Sequence, residues 1–468
     1  MSRVAVEFPL EADRGRELPL SAQIAGQLRS GIADGRLGAR ERMPASRALA
    51  TSLGVSRTVV TAAYAQLEAE GWLEGRPGSG TFVAPGAPGQ RPDPAPDAGP
   101  AETAAGAETT AAMIELRPGI PWAGGIDPAA WRRAWRQAAA VPPSAWPDPR
   151  GLPELRVALA AHLRRSRGMS CGPGQILVTR GVTNGLGLLA TAMLRPGDAV
   201  GVEEPGYPAA RAVFAARGAR IVPCRADEHG LVTGELPDGL RMVYTTPAHQ
   251  YPLGGRLPVP RRQSLLAWAR TTGALIVEDD YDSEFRYDVA PLPALFGLEP
   301  GAVVHLGTTA KTLTPAMGVG WLVARRDLAE VIAGARQDIG DRTSEAAQRA
   351  LLALLGRGDL DRHVRRMRRE YARRRSAIVA VLGDLPGPAR LLGDTAGLHV
   401  VLRLPPGTAD QVAARAGQRG VAVMTLERYF AGRPSADGLV LGYGGASVRQ
   451  VTRACQVLRQ IVAALPAR

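Results

Sequence analysis

His305-Leu-Gly-Thr-Thr-Ala-Lys311-Thr-Leu-Thr-Pro315 decides the reading of this 468-residue chain. An apolar run, Val303-Val-His-Leu, delivers a lysine, and it is the only lysine among 57 basic residues. Arginine and lysine exchange freely as surface charge. They do not exchange where a neutral primary amine must attack a carbonyl, because guanidinium stays protonated. Upstream, Val277-Glu-Asp279-Asp-Tyr281-Asp-Ser-Glu-Phe285 follows a second apolar run, Ala274-Leu-Ile-Val. An acid, a phenol and a lone amine therefore stand at the ends of two successive strand-like segments.

Working outward, further runs are Ile176-Leu-Val-Thr, Ala199-Val-Gly-Val, Ile221-Val-Pro and Met242-Val-Tyr. Most are spaced by roughly 20–30 residues with helical patterns between, which predicts βαβ units and a largely parallel sheet over 113–468. Such a domain is α/β. Pyridoxal phosphate needs an amine for a Schiff base, a carboxylate to keep its ring nitrogen protonated, and a donor near its phenolic oxygen. Lys311, Asp279 and Tyr281 are of those three types. Asp280, Asp282 and Glu284 read as a solvated strand end rather than a metal site, and no metal is expected. Trp131 and Trp135, at helical spacing, read as core.

The N-terminal end has a different character. Leu20, Ile24, Leu28 and Ile32 recur at helical spacing and Gly35 closes that helix. Ser46 is placed to cap a second helix, Gly54 makes a turn, and Ser56 caps a third helix, Arg57 to Ala69. Val59, Val60, Tyr64 and Leu67 are available there for packing. Trp72-Leu-Glu, Arg76-Pro-Gly-Ser-Gly80 and Thr81-Phe-Val read as a two-stranded wing. The pattern is a winged helix-turn-helix with its third helix in the recognition position. Residues 84–112, rich in Pro, Ala, Gly and acid, read as a flexible linker. The chain thus divides into a reader, 18–83, the linker, and a large domain, 113–468.

Charge supports a polyanionic partner. The formal net charge is +13, and within a near-neutral reader Arg36, Arg40, Arg42, Arg47 and Arg57 face only Glu41. The arginines between Arg362 and Arg375 read as a solvated helix face. No run of about 18 apolar residues and no signal-type segment occurs, so no membrane partner and a cytoplasmic location are expected. Cys171, Cys224 and Cys455 lack metal-ligand spacing and read as ordinary thiols.

LPLSAQIAGQLRSGIADGRL, RMPASRALATSLGVSRTVVTAAYAQLEAEGWL and RPGSGTFV resemble the GntR-type winged helix. That resemblance places Arg47, Ser56, Arg57, Thr58, Thr61 and Tyr64 near DNA, with Arg76 at the minor groove or backbone. The large domain resembles fold type I aminotransferases, with a mostly parallel sheet and a smaller α+β lobe. The fusion resembles the MocR-like subfamily of GntR regulators. By resemblance Tyr207, in Glu204-Pro-Gly-Tyr-Pro208, stacks on a pyridoxal phosphate ring. His249, in Thr246-Pro-Ala-His-Gln250, belongs to the loop near the phenolic oxygen. Val182 and Thr183, at a helix N-terminus suited to anions, and Thr308 hold the phosphate.

Several positions depart from the family pattern. Gly318 stands where an arginine grips the phosphate, and Trp146 where a tyrosine reaches across the dimer to it. Ala248 replaces a serine. Leu441-Gly-Tyr-Gly-Gly-Ala lacks the arginine that binds a substrate carboxylate, and Arg449 is the nearest downstream. Arg180 and Arg325 are candidates to replace the phosphate arginine. The resemblance implies a transcription regulator that binds a double-stranded DNA operator as a domain-swapped homodimer. It would sense a small amino compound or a B6 vitamer through pyridoxal phosphate on Lys311. The alternatives are a turnover aminotransferase with an accessory DNA domain, and a regulator whose large domain is only a dimerisation scaffold.

Overall fold

The computed structural model describes residues 10–16, 18–76, 79–85, 113–287, 293–385 and 387–465. The expected linker lies almost wholly outside them. The chain divides into two compact units, Met1–Glu108 and Thr109–Arg468.

In the first unit α1 (Leu20–Ala33), α2 (Ser46–Ser52) and α3 (Arg57–Ala69) precede a hairpin of β1 (Leu73–Arg76) and β2 (Gly80–Val83). Ile24, Leu28, Val60 and Leu67 are buried together, so the 3.6-residue spacing in the sequence becomes one small core. Gly54 supplies the turn at φ +61°, a conformation costly for other residues. The Ser56 side chain accepts the Val59 N–H and caps α3 as expected. Ser46 does not cap α2: the N-cap is Ala45, without a side-chain bond, and Ser46 is already helical.

In the second unit a short strand, β3 (Ile114–Glu115), comes first. Among the described residues the large sheet then has eight strands. They are β4 (Ile176–Thr179), β5 (Ala199–Glu204), β6 (Arg220–Asp227), β7 (Gly230–Leu231), β8 (Met242–Thr245), β9 (Leu275–Asp280), β10 (Val303–Thr308) and β11 (Gly320–Val323), in the order β4-β11-β10-β9-β8-β5-β6-β7. The five from β10 to β6 in that order run parallel. β11 is antiparallel to both its neighbours and β7 to β6. Every expected apolar run is a strand. β11 was not foreseen, since Gly320-Trp-Leu-Val is short and opens on glycine. A smaller sheet of β12 (Arg390–Leu392), β13 (His399–Leu404), β15 (Met424–Thr425) and β16 (Asp437–Gly442) forms the second lobe. β3 pairs in parallel with β14 (Val421–Ala422).

The arginine-rich segment is the helix Asp359–Leu382. Most of its arginines face solvent, but Arg374 is fully buried, stacked 4.2 Å from the Trp122 ring and donating to the Gly444 carbonyl at 2.7 Å. Trp131 and Trp135 pack against the main core with centroids 5.6 Å apart. No helix of the described residues is long and apolar enough to cross a membrane.

Candidate functional site

Parallel strands aim their carboxyl ends at one crevice, where open α/β sheets bind ligands. β9 delivers Asp279, β8 Tyr244, and β10 Thr308 followed by Lys311. These line one cavity of the second unit with Tyr207 and Tyr281. Asp279 is buried. Its Oδ2 accepts the Tyr244 hydroxyl at 2.5 Å and its Oδ1 has no partner. Burial pushes this carboxyl up to about 7, against the lowering effect of the Tyr244 bond. Lys311 Nζ donates to the Gly119 carbonyl at 2.7 Å. Burial lowers the Lys311 amine below the ordinary lysine range, opposed by Asp282 and Asp279. It therefore holds more of the nucleophilic neutral form than a surface lysine.

The other end of the cavity begins at the helix Val182–Met193, whose first residues Val182 and Thr183 line it. Gly181 enters that helix at φ +118°. The N–H groups of a helix's first turn have no intrahelical acceptors, and such a terminus suits an anion. Thr308 is beside it, its Oγ1 accepting the Ala310 N–H at 3.0 Å. Arg180 lines the same end, anchored by Asp341 at 2.5 Å. Arg325 does not: it pairs with Asp327 at 3.0 Å at the exposed start of a helix away from the cavity. Gly318 lines the cavity in a left-handed turn, φ +60°, with open space where a side chain would begin.

His249 stands one layer back rather than in the wall. Its Nδ1 is 2.9 Å from Asp282 Oδ2 and 3.0 Å from the Tyr281 hydroxyl, which also donates to the His249 carbonyl at 3.0 Å. It positions Tyr281. The expectation of a solvated strand end is wrong. Asp280 and Asp282 are buried, and Asp280 is paired at 2.5 Å with Arg167, itself buried. Buried Glu203, absent from the sequence reading, underlies the 246–250 loop. It accepts from the Thr245 hydroxyl at 2.5 Å and the Thr246 hydroxyl at 2.7 Å.

Tyr244, Tyr251, Gly119 and His399 also line the cavity and were missed. The position of Tyr244 at a parallel-strand end was a usable signal. Gly119 and His399 arrive from distant segments and had none. Trp146 is 93% exposed and Arg449 faces solvent, neither near the cavity wall.

In the first unit Arg47, Ser56, Arg57, Thr58, Thr61 and Arg76 are exposed. The first five lie on α2 or at the start of α3. Arg57 Nε reaches Ser46 Oγ at 3.4 Å, and the Thr61 hydroxyl donates back to the Arg57 carbonyl at 2.9 Å. Arg76 sits 4.9 Å over the Phe82 ring and pairs with Glu74. Tyr64 does not join them. It is buried, and its hydroxyl donates to the Pro44 carbonyl at 2.9 Å, so its aromatic body serves the core. Arg42, of the basic patch, lies against the wing, where a Cβ on Gly80 would come within 3.3 Å of its Nε.

Comparison with known proteins agrees with both units. Residues 121–436 match the family "Aminotransferase class I and II" and residues 20–83 the family "Bacterial regulatory proteins, gntR family". The chain is 39% identical over 438 residues to the HTH-type pyridoxine biosynthesis transcriptional regulator PdxR of Corynebacterium glutamicum, covering 94% of this chain and 95% of that protein. It is 34% identical over 476 residues to the probable rhizopine catabolism regulatory protein MocR of Rhizobium meliloti, covering 97% and 96%. The structure of LysN, the α-aminoadipate aminotransferase of Thermus thermophilus complexed with N-(5'-phosphopyridoxyl)-L-leucine, superposes with a TM-score of 0.68 at 25% identity, covering 75% of this chain and 92% of that one. The aminotransferase class I and II family is pyridoxal-phosphate-dependent. This chain belongs to the MocR-like subfamily of GntR regulators, and is an HTH-type transcriptional regulator joined to a fold type I aminotransferase-like domain.

Proposed function

We propose that the large domain holds pyridoxal phosphate on Lys311 and that its occupancy sets the affinity of the reader for an operator. One observation carries this reading: the chain's sole lysine shares a cavity with Asp279, whose Oδ1 is buried without a partner. An unpaired buried carboxylate oxygen is costly unless something meets it, and a protonated pyridine nitrogen is such a group. When bound, the cofactor supplies an aldehyde carbon that condenses with primary amines.

Each neighbour then has a task. Asp279 keeps the ring nitrogen protonated, with Tyr244 orienting the carboxylate. Tyr207 covers the ring face. Tyr281, positioned by His249, serves the phenolic oxygen. The helix start at Val182 and Thr183, with Thr308, receives the phosphate, and Arg180 takes the place of the arginine absent at Gly318. The signal is an amino compound or the B6 vitamer itself. The name of the Corynebacterium relative favours the vitamer. Turnover transamination is disfavoured, because among the described lining residues the only cations are Arg180, assigned to the phosphate, and Lys311. Arg47, Ser56, Arg57, Thr58, Thr61 and Arg76 face the double-stranded operator, and the cytoplasm is the compartment where operator and vitamer meet. We further propose a homodimer with exchanged domains, with exposed Trp146 turned to the second subunit.

The test is direct. Protein mixed with pyridoxal phosphate should gain an absorbance band that borohydride makes permanent, with the label on Lys311. Operator affinity should differ between loaded and unloaded protein. No band would leave a dimerisation scaffold, and an unchanged operator affinity would sink the sensing role. Repeated turnover with an amino donor and a keto acceptor would favour the enzyme.

A further inference from the structure

The cavity has two unlike ends. The phosphate end has a helix N-terminus and Arg180. The opposite end, beyond Lys311, is closed by Gly119, Tyr251, Leu398 and His399. Among the described lining residues Arg180 and Lys311 are the only cations, and Lys311 belongs to the reacting centre. The far end thus has no fixed positive charge.

Two of its polar atoms are acceptors. The Gly119 carbonyl receives Lys311 Nζ at 2.7 Å and is bare once that amine is engaged elsewhere. His399 is buried, and its Nε2 is 2.9 Å from the Pro252 carbonyl. A carbonyl only accepts, so Nε2 carries the hydrogen and Nδ1 is a lone pair. Nδ1 has no hydrogen-bond partner among the described residues, and the ring is part of the wall. Burial, with the nearby His249 and Lys311, holds His399 well below the ordinary histidine range, against the pull of the Pro252 bond, so the ring stays neutral. The Tyr251 hydroxyl is engaged with that of Tyr429 at 3.1 Å. A carboxylate placed here would lose its water and meet lone pairs with no cation to receive it. An amine carrying a hydroxyl would find acceptors for its donors.

We propose that His399 and the Gly119 carbonyl make this end a filter that admits primary amines without an α-carboxylate and rejects α-amino acids. The inference rests on pyridoxal phosphate binding at Lys311. Occupation by such an amine exchanges one amine for another. The ligand nitrogen takes the carbon that Lys311 Nζ gives up, two hydrogens pass to Nζ, and nothing is oxidised. The filter leaves vitamer occupancy unaffected by the cell's pool of amino acids.

Ethanolamine and L-serine differ only in the carboxylate. Each is titrated into the full-length protein loaded with pyridoxal phosphate, and the absorbance of the bound cofactor is followed. Ethanolamine should half-saturate the change at a concentration at least ~100-fold below serine. His399→Arg, which installs a cation, should narrow that gap at least ~tenfold, while the neutral His399→Asn should keep it. Equal responses in the wild-type protein, or no response to ethanolamine, overturn the filter while leaving cofactor binding intact. A protein that takes up no cofactor overturns both readings. Should His399→Arg fail to fold, the wild-type comparison and His399→Asn still decide.

Discussion

The exposed face of α2 and α3 in the first unit and the lysine-bearing cavity of the second are built by opposite rules. On the reader, Arg47, Arg57, Thr58 and Arg76 stand in solvent, and their support is light: a 3.4 Å contact from Arg57 to Ser46, a cap at Ser56, a ring under Arg76. Around the cavity, buried side chains hold one another: Asp279 is held by Tyr244, Tyr281 by His249, and His249 by Asp282. A surface that must meet a hydrated polyanion keeps its cations solvated and movable until they arrive. A site that must tune an amine and a carboxyl needs burial, because only a poorly solvated environment moves their proton affinities. Substitutions on the reader should therefore alter binding alone. Substitutions in the cavity should alter binding, proton balance and stability together.

The sharpest break would come at Lys311. Lys311→Ala should abolish the borohydride-fixable band and any cofactor-dependent change in operator affinity, since no second lysine exists to substitute. Basal operator affinity of the unloaded protein should remain. Fluorescence anisotropy on a labelled operator, with and without cofactor, reads both. A retained cofactor response would place sensing outside this cavity.

Asp279 comes next, and it separates the regions most clearly because it acts twice. Asp279→Asn should weaken cofactor binding roughly ten- to a hundredfold by removing the partner of the ring nitrogen. The same change has a pH signature without ligand. The folded carboxyl is pushed up to about 7 by burial, whereas an unfolded aspartate titrates near ~4. Between those values the folded chain keeps a proton that the unfolded chain has lost. The group's contribution is fully present below the lower value and is lost as pH rises through the upper one. Cofactor-free wild type should lose ground to Asp279→Asn between about pH 4 and about pH 7, as thermal melts would show. Parallel melting curves across that window would mean the carboxyl is solvated, like the reader's groups.

How much of this was legible in the sequence follows from the same contrast. The strands were readable because their apolar, β-branched runs are contiguous, and β11 escaped because its run is four residues opening on glycine. Lys311, Asp279, Tyr281, Tyr207 and Thr308 were nameable from local words. Gly119 and His399 were not, since each enters the cavity from a segment far away in sequence. The Asp280 reading failed for the same reason: nothing near Asp280 announces Arg167, the partner that allows it to be buried. Arg325, a candidate to replace the phosphate arginine, instead pairs with Asp327. On the reader the words were nearly sufficient, because exposed residues at a helix start owe little to distant segments.

A milder test lies on that exposed face. Arg57→Ala should cost about 1–3 kcal/mol of operator binding, roughly ten- to a hundredfold, with unfolding unchanged within about 0.5 kcal/mol. Unchanged operator affinity would move the recognition surface away from the start of α3. A large loss of stability would mean that Arg57 supports α2 through Ser46 more firmly than a 3.4 Å contact implies.

The smallest effect tests the one place where the two rules meet. Tyr64 belongs by motif to the DNA face and by structure to the core, its hydroxyl donating to the Pro44 carbonyl. Burial raises the phenol above the ordinary tyrosine range, so it remains a donor at physiological pH. Tyr64→Phe keeps the ring in the core and leaves that part-buried carbonyl without its partner, a loss of about 1 kcal/mol in denaturant unfolding. Operator affinity should change less than about twofold, since the hydroxyl is already engaged and the ring does not move. If operator affinity falls by as much as it does for Arg57→Ala while stability is untouched, the hydroxyl turns outward when DNA arrives, and Tyr64 belongs to the exposed set after all.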